Sequence, residues 1–489
     1  MSRPASRPRA GRARPARLVA DRARLVADRA RPVADLEISR AWLVDPAAGR
    51  EGPGEIVVRD GRIRVVTWLR GAEAGGVTPD GVVVAPGFVD LHAHLREPGD
   101  VAAETIVSGL AAAAHGGFTA VVAMADSIPA ADEPGALDRL RGLAERSGSP
   151  VRLLAAGAVT AERGGERLAA LGELADAGAV AFSDDPVPIR SAAILRSALA
   201  YAGMLGIPVV EHAVDPGLSA GAEANDGLVA TILGLRGAPA AAEEAAVARD
   251  LAILADVARD VPAVRLHLAH LSTAGAIDLV RRAKAAGLPV SCDVTPHHLA
   301  LSDEWLAGAR RWAWDGSGDP WGDGALAAAP YDSSLRVEPP LRSPADAAAC
   351  LAGLLDGTVD AVATDHSPRS RPDREVEFGM AAPGMTGLET ALGLLLSAVD
   401  AGRLPLSRAI AALTSGPARL LGPAEDLRPG LREGAPADLV VFDRSERWTV
   451  GPASLRTLGA PSPLAGLNLP GPVLLTMAGG RLAWESAEA

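Results

Sequence analysis

The segment GFVDLHAH, residues 87–94, joins a short apolar run to a polar end that carries Asp90, His92 and His94. Side chains two apart on an extended chain share a face, so His92 and His94 project the same way. Working outward, seven more segments repeat this design, an apolar run of strand length ending in polar residues. They are FTAVVAM (118–124), VRLLAAGAV (151–159), AVAFSDD (179–185), IPVVEHA (207–213), VRLHLAH (264–270), LPVSCDVTPHH (288–298) and VDAVATDH (359–366). Between them lie Ala/Leu/Arg-rich stretches with helical period, for example 242–258 and 273–286. Eight such alternations predict an α/β fold, a parallel (β/α)8 TIM-type barrel over 86–429, with a doubly wound sheet as the alternative. Either architecture places its chemistry at the carboxyl ends of the strands.

The flanks have a different texture. Short β-like runs with turn signals at Asp60-Gly61 and Pro79-Asp80-Gly81 fill 36–85, and similar runs return over 430–489. Together they predict one small β-sandwich domain built from both chain ends. Residues 1–35 carry ten Arg against three Asp and repeat ARLVADR at 16–22 and 23–29. Their longest apolar run, Leu-Val-Ala, is far shorter than the ~7–15-residue core of a secretory signal. They are expected to form a disordered tail outside the fold.

Composition excludes several classes. At 489 residues the chain is long enough for a large barrel and a smaller partner domain. Hydrophobic residues at 48% against 22% charged make it too apolar to be disordered. No apolar run reaches the ~18–20 residues of a membrane span. With only Cys292 and Cys350, neither a disulfide framework nor a thiolate zinc module can form. The net charge of −12 argues against nucleic acid as a partner.

The predicted strand ends collect the reactive side chains. Of the nine histidines, only His115 and His267 lie elsewhere. The others are His92, His94, His212, His270, His297, His298 and His366, accompanied by Asp90, Asp184, Asp185, Glu211 and Asp365. Imidazoles and carboxylates without thiolates suit Zn²⁺ or a similar divalent ion. Four His and two carboxylates exceed what one tetrahedral catalytic site uses, since such a site keeps a position open for water. Two ions sharing a bridging carboxylate use the set economically, and paired ions can activate water and polarise a carbonyl together.

The stretch PGFVDLHAHLREPG (86–99) closely resembles the metal-binding motif of dihydroorotases in the amidohydrolase superfamily. The resemblance continues through GGFTAVVAMADSIPAAD (116–132), GAVAFSDD (178–185), VVEHAVDP (209–216), LHLAHLSTAG (266–275), VTPHHL (294–299), PPLRS (339–343), VATDHSP (362–368) and GLETALGLL (387–395). It looks like the bacterial class I branch, whose fourth strand ends in an aspartate-bearing SDD or TDD segment. Lys284, the only lysine, follows the sixth strand and is badly placed for the carboxylated-lysine bridge of allantoinases and hydantoinases. The resemblance implies His92, His94 and Asp365 on one ion, His212 and His270 on the other, and Asp185 bridging, with Asp184 as second choice. It implies that Asp365 also moves the proton during opening of a cyclic amide. A cytoplasmic homo-oligomer with a small-molecule substrate is expected, and association with aspartate transcarbamoylase follows the pattern of some relatives.

The substrate half departs from that pattern. Arg96 keeps the Arg of HxHxR, which reads the substrate carboxylate. The family's Asn of MPNT or MANT is Asp126 here, its Asn of NPPLR is Glu338, and its His of DHAPH is Arg369. The backbone contact near the eighth-strand loop becomes Pro383-Gly384. Two amides that donate hydrogen bonds have become acceptor-only carboxylates. Each would repel a nearby substrate carboxylate by about 1–4 kcal/mol, depending on local dielectric. Arg369 is expected to offset one by pairing with Glu338 or Asp126. A longer segment at 308–334 holds Trp312, Trp314 and Trp321 and reads as a lid, a substrate-contact loop, a solvated insertion or an oligomer contact. Two rival readings stay open: a paralogue acting on a hydantoin or dihydropyrimidine, and a non-catalytic scaffold partner of aspartate transcarbamoylase.

Overall fold

The protein is described by a computed structural model covering residues 24–28, 35–316, 329–421, 427, 429–459 and 462–487. Eight parallel strands build its central sheet: β1 (Phe88–Ala93), β2 (Phe118–Ala123), β3 (Arg152–Gly157), β4 (Ala181–Phe182), β5 (Val209–Glu211), β6 (Leu266–Leu268), β7 (Val290–Val294) and β8 (Ala361–Val362). They hydrogen-bond in chain order. A parallel bridge between Ala93 and His366 joins the first strand to the segment after the last, with the His94 N–H donating to His366 O at 2.8 Å. Asp90 reinforces this junction, because its carboxylate accepts from the Thr364 N–H at 2.8 Å and from its hydroxyl at 2.6 Å.

Small and branched side chains fill the barrel interior, among them Val122, Ala156, Ala181, Val210 and Ala269. The strands are apolar on both faces because helices cover them outside. The stretches 242–258 and 273–286 form helices Ala240–Val257 and Ala274–Ala285. Thr273 caps the second helix by accepting from the Ala276 N–H, which ends the preceding loop just beyond His270.

Both flanks contribute to one further sheet. Asp35–Asp45, Arg50–Arg59, Arg62–Trp68 and Val82–Pro86 join Leu439–Asp443, Val473–Ala478 and Arg481–Glu485. The link is the antiparallel pairing of Val82–Pro86 with Leu439–Asp443. Ile38, Leu43, Ile56, Val84, Leu439 and Met477 form its core. Asp60-Gly61, both at positive φ, makes the tight turn expected there. Arg24–Asp28, inside the stretch expected to be a tail, pairs antiparallel with Asp35–Ser39. The rest of 1–34 lies outside the described residues.

Of the 308–334 tryptophans, Trp312 and Trp314 stack at 5.3 Å and lean on a core that includes the buried Trp305. Trp321 lies outside the described residues.

Candidate active site

At the carboxyl end of the barrel, Asp185 stands between two pairs of imidazoles. Its Oδ1 is 3.0 Å from His92 Nε2 and 3.3 Å from His94 Nε2. Its Oδ2 is 3.1 Å from His270 Nε2 and 3.3 Å from His212 Nδ1. Among the described residues, two groups could hold a metal ion: His92, His94 and Asp185, and Asp185, His212 and His270. Asp365 stands on the first side, its Oδ1 3.5 Å from His94 Nε2 and 3.8 Å from His92 Nε2. All six side chains are buried.

The local backbone explains the convergence. His92 and His94 project together from the end of β1, as alternation requires. His270 sits at φ 38° and Asp365 at φ 46°, a region that side-chain-bearing residues seldom occupy. His270 is held there by its N–H donating to Asp293 Oδ1 at 2.7 Å, while Asp293 Oδ2 contacts His267 Nε2 at 2.8 Å. Such strain is a recurrent property of functional sites.

Asp184 points elsewhere. Its Oδ1 accepts from the N–H groups of Val159 at 2.9 Å and Thr160 at 3.0 Å, and its Oδ2 accepts from the Thr160 hydroxyl. It ties the β3 loop to β4 and does not face the imidazoles.

The electrostatics are those of a cation site. Burial disfavours a charged His92, yet the Asp185 and Asp365 carboxylates outweigh it and raise its pKa to about 9. Burial likewise opposes ionisation of Asp185, but His92, His212 and His270 hold it well below the usual carboxylate range. Imidazole nitrogens facing one shared carboxylate in a dry pocket are satisfied by protons or by divalent cations. The donor set therefore fits divalent metal, and the nitrogens aimed inward are the ones that would hold it.

The residues expected to face substrate behave less uniformly. Asp126 Oδ2 lies 2.7 Å from Arg96 Nη1 and 2.8 Å from His94 Nδ1. Arg369 pairs with neither Asp126 nor Glu338; its Nε donates to Pro383 O at 2.7 Å. Asp126 is held instead by Arg96 and His94, both on its Oδ2. The expected repulsion from Asp126 is offset in the same way, since its charge is neutralised from both sides. Burial would raise the Asp126 pKa, but His94 and Arg96 bring it down to about 2.

Glu338 is exposed and makes no hydrogen bond or ion pair with any described residue. It lines a cleft with Val214, Glu223, Arg336 and Pro383. Pro383 has no N–H, and the Gly384 N–H donates to Arg336 O at 2.9 Å while its carbonyl accepts from Arg374. Neither offers a free backbone donor.

Several supporting residues escape sequence reasoning. Asp293 sets the His270 backbone, and Glu104, far away in the chain, contacts His366 Nε2 at 3.3 Å. Asp293 lies inside a strand already read, so its alternation could have singled it out; Glu104 carries no local signal. His297 and His298 start the short helix Pro296–Ala300 and belong to neither imidazole pair.

Comparison with known proteins places most of the chain beside named relatives. The family described as "Dihydro-orotase-like" matches residues 81–274. A dihydroorotase of Pelotomaculum thermopropionicum is 40% identical over 92% of this chain and 98% of its own length. One from Thermus aquaticus is 41% identical, over 91% of this chain and 98% of its own. Among solved structures, the L-hydantoinase (dihydropyrimidinase) from Arthrobacter aurescens superposes with a TM-score of 0.73 at 23% identity, covering 91% of this chain and 95% of that one. That likeness supports the barrel fold. With two-fifths of its residues shared with such relatives along nearly their whole length, and a His/Asp cluster at its barrel mouth, the chain belongs to the dihydroorotase family of cyclic amide hydrolases.

Proposed function

We propose that this chain is a class I dihydroorotase that reversibly opens dihydroorotate to N-carbamoyl-aspartate. The observation that carries this reading is the position of Asp185, one oxygen toward His92 and His94 and the other toward His212 and His270. In this reading two divalent ions, Zn²⁺ first among the candidates, are held by His92, His94 and Asp365 on one side and by His212 and His270 on the other, with Asp185 shared. When bound, they supply Lewis acidity toward the ring carbonyl and make water a nucleophile near neutral pH.

The chain's own groups do the rest. Asp365, beside both β1 imidazoles, accepts the proton of the attacking water on its carboxylate and delivers it to the departing ring nitrogen. The reverse closure uses the same groups in the opposite order. A bridging aspartate suits the class I reading, because Lys284 lies on helix Ala274–Ala285 with Nζ 2.5 Å from Asp360 Oδ2. Asp126, Arg96, Arg369, Glu338 and the Pro383-Gly384 turn line the substrate side.

The sheet drawn from both chain ends serves in this reading as the small β-sandwich domain beside the barrel. The protein works as a cytoplasmic homo-oligomer, and co-purification with aspartate transcarbamoylase tests the further association.

The deciding experiment is a turnover screen of the Zn²⁺-loaded protein against dihydroorotate, dihydrouracil and hydantoin. Dihydroorotate is expected to have the highest kcat/KM, with activity lost on chelation and regained with Zn²⁺. Turnover of hydantoin or dihydrouracil alone would overturn the substrate assignment.

A further inference from the structure

Each of the three guanidinium nitrogens of Arg96 has a partner where it stands. Its Nη1 is 2.7 Å from Asp126 Oδ2, its Nη2 donates to Ser367 Oγ at 2.6 Å, and its Nε donates to Pro368 O at 3.2 Å. The same Asp126 oxygen is 2.8 Å from His94 Nδ1, the ring nitrogen opposite the one facing Asp185 and Asp365. A carboxylate there holds the proton on Nδ1 and leaves the Nε2 lone pair to the cluster. An amide in its place would accept more weakly and could not neutralise Arg96.

Arg369 is the contrast. Only its Nε has a partner, Pro383 O, and neither Nη group makes a hydrogen bond to any described residue. Burial lowers its pKa to about 10, and it lies close enough to Arg96, Asp126 and Asp365 to feel their charges. It remains a cation at neutral pH, half-buried at the edge of the site, with a free planar fork suited to a carboxylate.

We propose that Asp126 is a positioning and specificity-determining residue: it locks His94 toward the metal site and withdraws Arg96 from substrate recognition, which leaves Arg369 to read an anionic substituent on the cyclic amide. The Arg369 half rests on the function proposed above, in which that substituent is the dihydroorotate carboxylate.

Two readouts test it. The first is Zn²⁺ affinity, measured by competition with a chromophoric chelator and independent of turnover. Asp126→Asn, nearly isosteric, is expected to weaken Zn²⁺ binding about 10- to 100-fold. Unchanged affinity overturns the positioning role. The second is steady-state kinetics. Arg369→Met is expected to raise KM for dihydroorotate about 10- to 100-fold with kcat and Zn²⁺ affinity preserved. Arg369→Lys should recover part of the loss, and KM for dihydrouracil, which lacks the carboxylate, should not move. In the Asp126→Asn background Arg96 is released, so Arg369→Met should cost much less than in the wild type. An equal cost in both backgrounds overturns the withdrawal of Arg96. If dihydroorotate is not turned over at all, the proposed function fails and the Arg369 half with it, whereas the Zn²⁺ measurement alone decides Asp126.

Discussion

Asp185 Oδ1 lies 3.0 Å from His92 Nε2, a contact made across the barrel mouth between the ends of β4 and β1. The other oxygen of the same carboxylate faces the opposite imidazole pair, so one side chain organises both halves. Asp185→Asn keeps the volume but replaces one charged oxygen with an amide nitrogen that cannot ligate. Metal content, measured by elemental analysis on gel-filtered protein, is expected to fall by about half or more, and kcat by roughly 10³-fold or more. Full metal content with unchanged kcat would remove Asp185 from the centre.

Asp365 separates proton transfer from metal retention. Asp365→Asn leaves Asp185 and the four histidines in place but offers no base. Loss of general acid–base catalysis costs typically about 10²–10⁴-fold. A drop of that size in kcat, with at least the His212/His270 side still loaded, is the expected result. Wild-type kcat in this variant would assign Asp365 a passive part.

Gly384 is a steric prediction. Its φ of 141° lies in a region that favours glycine, and a Cβ there would run into the carbonyl and hydroxyl of Ser367. Ser367 Oγ in turn accepts from Arg96 Nη2 at 2.6 Å. Gly384→Ala should therefore destabilise the protein by roughly 1–3 kcal/mol and also disturb the Arg96 anchor. Urea unfolding together with KM for dihydroorotate checks both parts; no change in either would show that this loop yields freely.

Asp250 predicts a pH-dependent stability. It is fully buried on helix Ala240–Val257, with Oδ1 accepting from Arg249 Nε at 2.7 Å and Oδ2 lacking a partner among the described residues. Burial raises its pKa from 3.8 to about 6, against the opposing pull of Arg249. The folded state thus binds this proton more tightly than the unfolded chain does. The associated stability is complete below 3.8 and is lost as pH rises through about 6. Asp250→Asn should be more stable than the wild type at pH 8 and nearly equal to it at pH 4. Parallel unfolding curves across that range would contradict the burial argument.

The barrel was legible because its signal is local. Each of the eight strands carries its own apolar run and its own polar terminus, and helices such as Ala240–Val257 announce themselves by period. The imidazole cluster was legible for the same reason, since a barrel sends every strand end to one mouth whatever the loops between them do. The roles of Asp184 and Asp185 could only be ranked from sequence, because neighbours on a strand point to opposite sides and register alone decides which faces the axis. The structure turns Asp184 to the Val159 and Thr160 amides and Asp185 to the histidines.

The substrate side was the least legible. From sequence, Asp126 is an anion placed where an amide was expected, and repulsion follows from Coulomb's law. Tertiary structure places Arg96 and His94 on one oxygen of that carboxylate, which changes a repulsive charge into a neutralised support. Residue identities along the chain set the strand ends, the ligand chemistry and the absence of a lysine bridge, because these depend on what each segment is made of. Which cation spends its charge on which anion was decided only in three dimensions, because that choice depends on distances between residues brought together from separate strands.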